Sequence, residues 1–253
     1  MPGALIRLVA FAGAILCGAA PTSAAPSNLP PAAKVARFGN EISISGFVEP
    51  STLQAVKREL SSPDGATIDT LVVESTGAEH DTILELGRVV RARKLTLKVK
   101  TLCGAPCAKF LIPAAVRVVV QRPSILMIGR VMRPPPPKLP DFIRRGMQHV
   151  IDQQNEYWRE LKVNPESFYA LAEFMDLMDS ILASQGKTEK PQIVPDEAYV
   201  RQCLGPHVVE MPEYTIADST KLAHINKDDP LAFLIAGKIF YEGKRLPLPE
   251  LRC

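Results

Sequence analysis

Charge of one sign is scarce in this 253-residue sequence: 30 lysines and arginines face 27 acidic residues, a surplus of +3. That is too little for the basic footprint of a nucleic-acid binder or an anionic-membrane binder. Histidine is scarce too. His80, His149, His207 and His224 stand at no metal-ligand spacing from the cysteines, so the reading calls for no metal, and it calls for no cofactor. Only one long apolar run exists, Leu8 to Ala20, and it falls short of the roughly 20 residues that span a bilayer. What is present is ordinary globular chain, 46% apolar and 23% charged, which excludes wholesale disorder. Proline is the surplus: 23 residues, against a usual share of about 5%, with much of the excess near 21–31 and 134–140.

The first 24 residues read as a secretory signal. Arg7 is the only charge before Lys34, the apolar run follows, and Thr22-Ser23-Ala24 supplies small residues at a cleavage site. The expected mature chain begins at Ala25, is periplasmic or secreted, and keeps no stable membrane insertion. An uncleaved anchor is the competing reading.

Export changes the meaning of the cysteines. Cys103, Cys107, Cys203 and Cys253 remain, an even set in an oxidising compartment, and four cysteines allow three pairings. The simplest is Cys103–Cys107 with Cys203–Cys253; a zinc site is the rival.

Residues 25–40 are expected to be a flexible, proline-rich lead-in, and 41–132 an α/β core. Glu41–Ser45 alternates as a strand ending at Gly46, and Ser51 with Gln54 signals a capping box. Ile68–Val73 reads as a buried strand broken by Gly77, and Ile83, Leu86 and Val90 form a helical stripe. Leu95–Val99, a helix from about Ala105 to Ala114, and strands Val116–Val120 and Ile125–Ile128 complete the alternation. Strand–helix repetition predicts mostly parallel strands. Residues 133–140 form a proline-rich loop, and 141–253 a helical C-terminal extension packed on the core. There Asp141–Lys162 and Pro165–Ser184 are the main helices, and Leu231–Tyr241 is helix or strand.

The stretch from Ile42 to Arg130 carries "ISISGFVEPSTLQAVKREL", "IDTLVVESTGAEHDTILELGRVV" and "LTLKVKTLCGAPCAKFLIPAAVRVVVQRPSILMIGR". It resembles the periplasmic branch of the Clp-protease/crotonase superfamily, and "EYWRELKVNPESFYAL" resembles a helical segment of the same family. The resemblance implies an α/β fold, a ClpP/crotonase-like spiral of ββα units with an α-rich C-terminal extension. It also implies a site: a Ser-x-Gly-Gly turn donating to an oxyanion, a serine nucleophile within Cys-x-Ser-Ala-Cys, and a histidine base after Ile-Gly.

Position by position, that site is degenerate. The nucleophile falls on Ala105, which has no hydroxyl, and the base on Arg130, which stays protonated. Pro106 follows the nucleophile position and has no N–H to donate. Ser75-Thr76-Gly77-Ala78 retains at most the Gly77 donor. Rescue by a Cys103 or Cys107 thiolate competes with the disulfide reading. His80 reads as a solvated histidine, Lys109 as a surface lysine, and Ser75 and Ser124 lack a neighbouring base. Arg130 with Gly77 is a candidate site for an anion or a peptide; its plain alternative is a salt bridge to Glu74 or Glu79.

The expectation is therefore an exported pseudoenzyme, a periplasmic binding or assembly module whose partner is itself, as a homo-oligomer, or an envelope protein or peptide. The alternative is a periplasmic peptidase or acyl hydrolase using a non-standard nucleophile such as Cys103 or Cys107.

Overall fold

A computed structural model describes residues 32–122, 124–184, 186, 192–195, 197–205 and 208–212, with strands inside 233–246. The expected signal and lead-in over 1–31 and the expected pairing of Cys253 lie outside the described residues.

The chain opens with a hairpin. Strand β1 (Lys34–Phe38) turns at Gly39, which takes φ +61°, and pairs antiparallel with β2 (Glu41–Val48). The expected flexible lead-in to residue 40 is thus corrected: its last residues are a strand, because every second side chain of β1 is half covered while the others face solvent. Helix α1 (Pro50–Leu60) leads to β3 (Thr70–Ala78), and α2 (His80–Ala92) leads to β4 (Thr96–Cys103). The short α3 (Ala105–Phe110), β5 (Arg117–Val120) and β6 (Ile125–Leu126) follow. After them come α4 (Asp141–Glu160), α5 (Pro165–Ser184), β7 (Gln192–Val194), α6 (Glu197–Cys203) and β8 (Val208–Glu210).

The main sheet has seven strands in the order β1-β2-β3-β4-β5-β8, with β6 also paired to β4. From β2 to β8 every pairing is parallel, as the strand–helix alternation predicts. β4 serves two partners in tandem, β5 along Thr96–Val99 and β6 at Leu102–Cys103. Strands β2, β4 and β5 alternate: Ile42, Ile44, Leu97, Val99 and Val118 are fully buried, as are Leu71 and Val73 of β3, while Ser43 and Lys98 between them are only half-covered.

The C-terminal part is less helical than expected. β8 extends the main sheet beside β5, and a second sheet of four strands runs β11-β10-β9-β7, where β9 is Phe233–Ile235, β10 Lys238–Tyr241 and β11 Lys244–Leu246. Of the stretch read as helix or strand, the described residues Phe233–Ile235 and Lys238–Tyr241 are strand, in keeping with their Phe, Ile and Tyr content.

Two glycines sit inside strands rather than ending them. Gly46 does not end β2; it takes φ +121° at a register shift, where a Cβ would sit 3.0 Å from Ala33 Cα, and the strand runs on to Val48. Gly77 does not break β3 either, since that strand continues to Ala78 against Phe47 and Val48. The capping box expected at Ser51 also shifts. Helix α1 starts at Pro50 with Glu49 as N-cap, the Glu49 N–H donating to Thr52 Oγ1 at 3.3 Å, because proline at the first helical position needs no acceptor.

Candidate functional site

The region singled out by the resemblance lies where β3 and β4 end and α3 begins. Ser75 pairs with Cys103 across the two strands, and the Gly104 N–H donates to Ser75 O at 2.8 Å. Gly104 is the N-cap of α3, and a Cβ there would stand 2.8 Å from Thr76 O. The approach of the two segments needs that glycine. The structure thus brings Ser75, Thr76, Gly77, Cys103 and Ala105 into one neighbourhood.

Chemistry there is sparse. Cys103 and Cys107 form a disulfide that spans Ala105 and Pro106, with Cα atoms 5.3 Å apart. Both cysteines are buried, and neither offers a thiolate in this state. Cys203 is disulfide-bonded as well. Ser75 Oγ donates to Gly77 O at 2.9 Å, and Ser124 Oγ to Lys100 O at 2.5 Å, so both hydroxyls are taken up by backbone. Gly77 lies within the strand ladder, where an added Cβ would stand 3.1 Å from the Phe47 ring, rather than in an open turn. Among the described residues no group of three or more His, Cys, Asp or Glu is placed to hold a metal ion.

Arg130 faces neither Glu74 nor Glu79. Its guanidinium pairs with Asp179 and, at 3.4 Å, with Asp176, both on α5, while Arg133 also takes Asp176. The two aspartates lie one helical turn apart, which places both carboxylates on the α5 face turned to this segment. Arg130 is 43% exposed, yet its charge is compensated by α5 rather than presented to an incoming anion.

Lys109 differs most from the surface lysine expected. It is 9% exposed, not a surface lysine, and its ammonium donates to the Arg130 carbonyl at 2.7 Å. Burial pushes its pKa down to about 8. One signal was legible: Lys109 follows Ala105 by four residues, hence on the same face, and it is the sole charge in an otherwise apolar stretch from Ala105 to Val116. His80, at the start of α2, is half-buried and packs edge-on against Phe110 with ring centroids 5.8 Å apart. Its buried Nε2 has no hydrogen-bond partner. Burial holds the imidazole below its usual range; Asp81 opposes this, and the charges on Lys109 and His149 add to it.

Helix α4 fixes α3 from behind. Tyr157 Oη donates to Phe110 O at 2.5 Å, and Trp158 Nε1 donates to Lys109 O at 3.1 Å, so side chains of α4 satisfy carbonyls that a helix this short leaves unpaired. Burial raises the Tyr157 hydroxyl far above its ordinary pKa, which keeps it a donor. Trp158 stacks on Phe168 of α5 at 4.2 Å and on Phe110 at 5.7 Å, joining α3, α4 and α5. Among the described residues no helix is long and apolar enough to cross a membrane.

No family model matches the chain, and no curated protein matches it. Among solved structures, an enoyl-CoA hydratase from Polaromonas sp. JS666 is similar over 61% of this chain and 87% of its own, with 11% identity and a TM-score of 0.31. At that score the likeness carries no argument, and the fold stands on its own strand order.

Proposed function

We propose that this chain is an exported, non-catalytic relative of the Clp-protease/crotonase superfamily that works as a periplasmic binding or assembly module. One observation carries the reading: at the start of α3, where the resemblance expects a nucleophile, Ala105 and Pro106 are enclosed by the Cys103–Cys107 disulfide. A serine hydrolase needs a hydroxyl or thiolate there, a base able to accept a proton, and donors for the oxyanion. Ala105 supplies no nucleophile. Arg130 cannot act as base, and its pairing with Asp176 and Asp179 gives it a structural role on α5. Pro106 offers no N–H.

Apolar side chains left in solvent support a partner-binding role. Phe142 is 71% exposed, and Met132 and Ile143, close by in sequence, are each more than a third exposed. A second copy of the chain or an envelope protein would cover them.

Covalent labelling tests this reading. The oxidised protein is treated with a serine-directed fluorophosphonate and with iodoacetamide, and neither is expected to leave an adduct between Ser75 and Arg130. An adduct in that interval would overturn the pseudoenzyme reading in favour of a hydrolase with a non-standard nucleophile such as Cys103 or Cys107. Light scattering then reads the partner: a multiple of the chain mass favours self-assembly, a single chain mass a foreign partner.

A further inference from the structure

His80 stands at the first position of α2, at the positive end of a 13-residue helix dipole. Its ring meets Phe110 edge-on, with centroids 5.8 Å apart, and its Nε2 is buried with no hydrogen-bond partner. We propose that His80 is an acid-sensitive latch: a proton gained by the imidazole drives the ring off Phe110 and loosens the contact between α3 and α4.

The cost of that proton follows from what surrounds the ring. In the neutral imidazole, Nε2 leaves one uncharged group unmet. In the protonated ring it becomes a charged N–H donor shut away from water with no acceptor. Nearby charge adds to the cost. Lys109 of α3 holds its ammonium 5.7 Å from the centroid of the same Phe110 ring, so a protonated His80 would be the second cation beside one aromatic side chain. His149 of α4 acts in the same direction as Lys109. Asp81, the next residue of α2, favours the proton, while Glu79 before it accepts from Thr82 Oγ1 at 2.9 Å. Burial outweighs Asp81 and holds the packed imidazole below its usual range.

The direction of the response is fixed by this difference. A released, solvated His80 takes up its proton near pH 6.5, whereas the packed ring resists it. The packed arrangement therefore keeps its full stability above that pH and loses it as pH falls toward the lower folded value. Phe110 carries the effect onward. It stacks on Trp158 at 5.7 Å and meets Tyr157 edge-on at 5.9 Å, and its carbonyl accepts from Tyr157 Oη. Displacing Phe110 thus removes packing from both α4 side chains that hold α3. The latch concerns this packing alone, so it stands or falls apart from the function proposed above.

Trp158 is the only tryptophan in the sequence and is fully buried, so it reports the contact directly. The experiment is acrylamide quenching of Trp158 in the oxidised full-length protein from about pH 7.5 to about pH 5, with far-ultraviolet circular dichroism alongside. The quenching constant is expected to rise at least about threefold on acidification while the ellipticity is unchanged. The His80 imidazole resonance is expected to titrate with the same midpoint, below 6.5. His80→Phe keeps a ring against Phe110 and should abolish the rise; His149→Gln should keep it. Quenching that ignores pH, a rise that survives in His80→Phe, or one lost in His149→Gln would each overturn the latch. So would loss of ellipticity along with the rise, which would mean global unfolding. Should His80→Phe fail to fold, the two midpoints of the unaltered protein decide: coincidence supports the latch and separation overturns it.

Discussion

The Lys109 ammonium donates to the carbonyl oxygen of Arg130 at 2.7 Å, tying a buried amine on α3 to the residue that stands where a catalytic base is expected. The bond runs to the backbone of Arg130, while the guanidinium of the same residue is held by Asp176 and Asp179. Two charged residues beside the start of α3 are thereby used to hold α3 and α5 together.

Lys109 makes stability depend on pH in a particular direction. Its folded pKa is about 8, against 10.5 for a free lysine, so the unfolded chain holds more protons between those values. Stability should rise as pH increases from about 8 to 10.5, by up to about 3 kcal/mol, and show no pH dependence from this group below pH 8, where the cost of its buried charge is constant. Urea denaturation at a series of pH values reads the slope. Lys109→Met should flatten it and leave the protein at least as stable at pH 7, since burying the charge is costly there. An unchanged slope would show that Lys109 does not carry the effect.

Gly87 and Tyr157 form a tight pair across α2 and α4. A Cβ at residue 87 would lie 1.9 Å from Tyr157 Oη and 2.8 Å from Cζ. Gly87→Ala is expected to cost about 1–3 kcal/mol in chemical denaturation, as overpacking does. Adding Tyr157→Phe removes the nearest atom and should return part of that loss, giving a favourable coupling in the double-mutant cycle. Strict additivity would mean that the two residues do not meet.

Lys94 takes φ +52° just beyond α2, with the Leu95 N–H closing on Val90 O at 3.0 Å. This is a left-handed helix end, where glycine is free of the Cβ penalty. Lys94→Gly should be neutral or stabilise by up to about 1 kcal/mol, read as a shift in denaturation midpoint. A clear loss would indicate that the lysine side chain holds something in place.

The Cys103–Cys107 disulfide closes a very short loop. In the chain-entropy relation such a loop contributes about 2 kcal/mol, so Cys103→Ala with Cys107→Ala should lower stability by about that amount while the protein still folds. Failure to fold would assign the bridge a larger role than local shape.

Much of the scaffold was legible because it rests on periodicity. Phe168, Leu171, Phe174, Met175 and Met178 form the buried stripe of α5 as their spacing requires, and the parallel strands follow from strand–helix alternation. Backbone geometry that depends on distant neighbours was not. Gly46 and Gly77 look like strand ends, yet they are accommodations to Ala33 and Phe47, which no local pattern reveals. At the site, Ala105 and Pro106 state what is missing, but not that α5 takes Arg130 or that Tyr157 and Trp158 cap α3. Those are long-range pairings between elements, and one sequence does not record them.

The central claim is that the chain is exported and that its α3 region holds no free nucleophile. Intact mass spectrometry of protein exported from a native-like host, alkylated with and without prior reduction, tests both parts at once. The account predicts the mass of residues 25–253, no alkyl adduct before reduction, and new adducts on Cys103 and Cys107 after it. Retention of residues 1–24, or rapid alkylation of Cys103 or Cys107 without reduction, would contradict the account and place a reactive thiol beside Ala105.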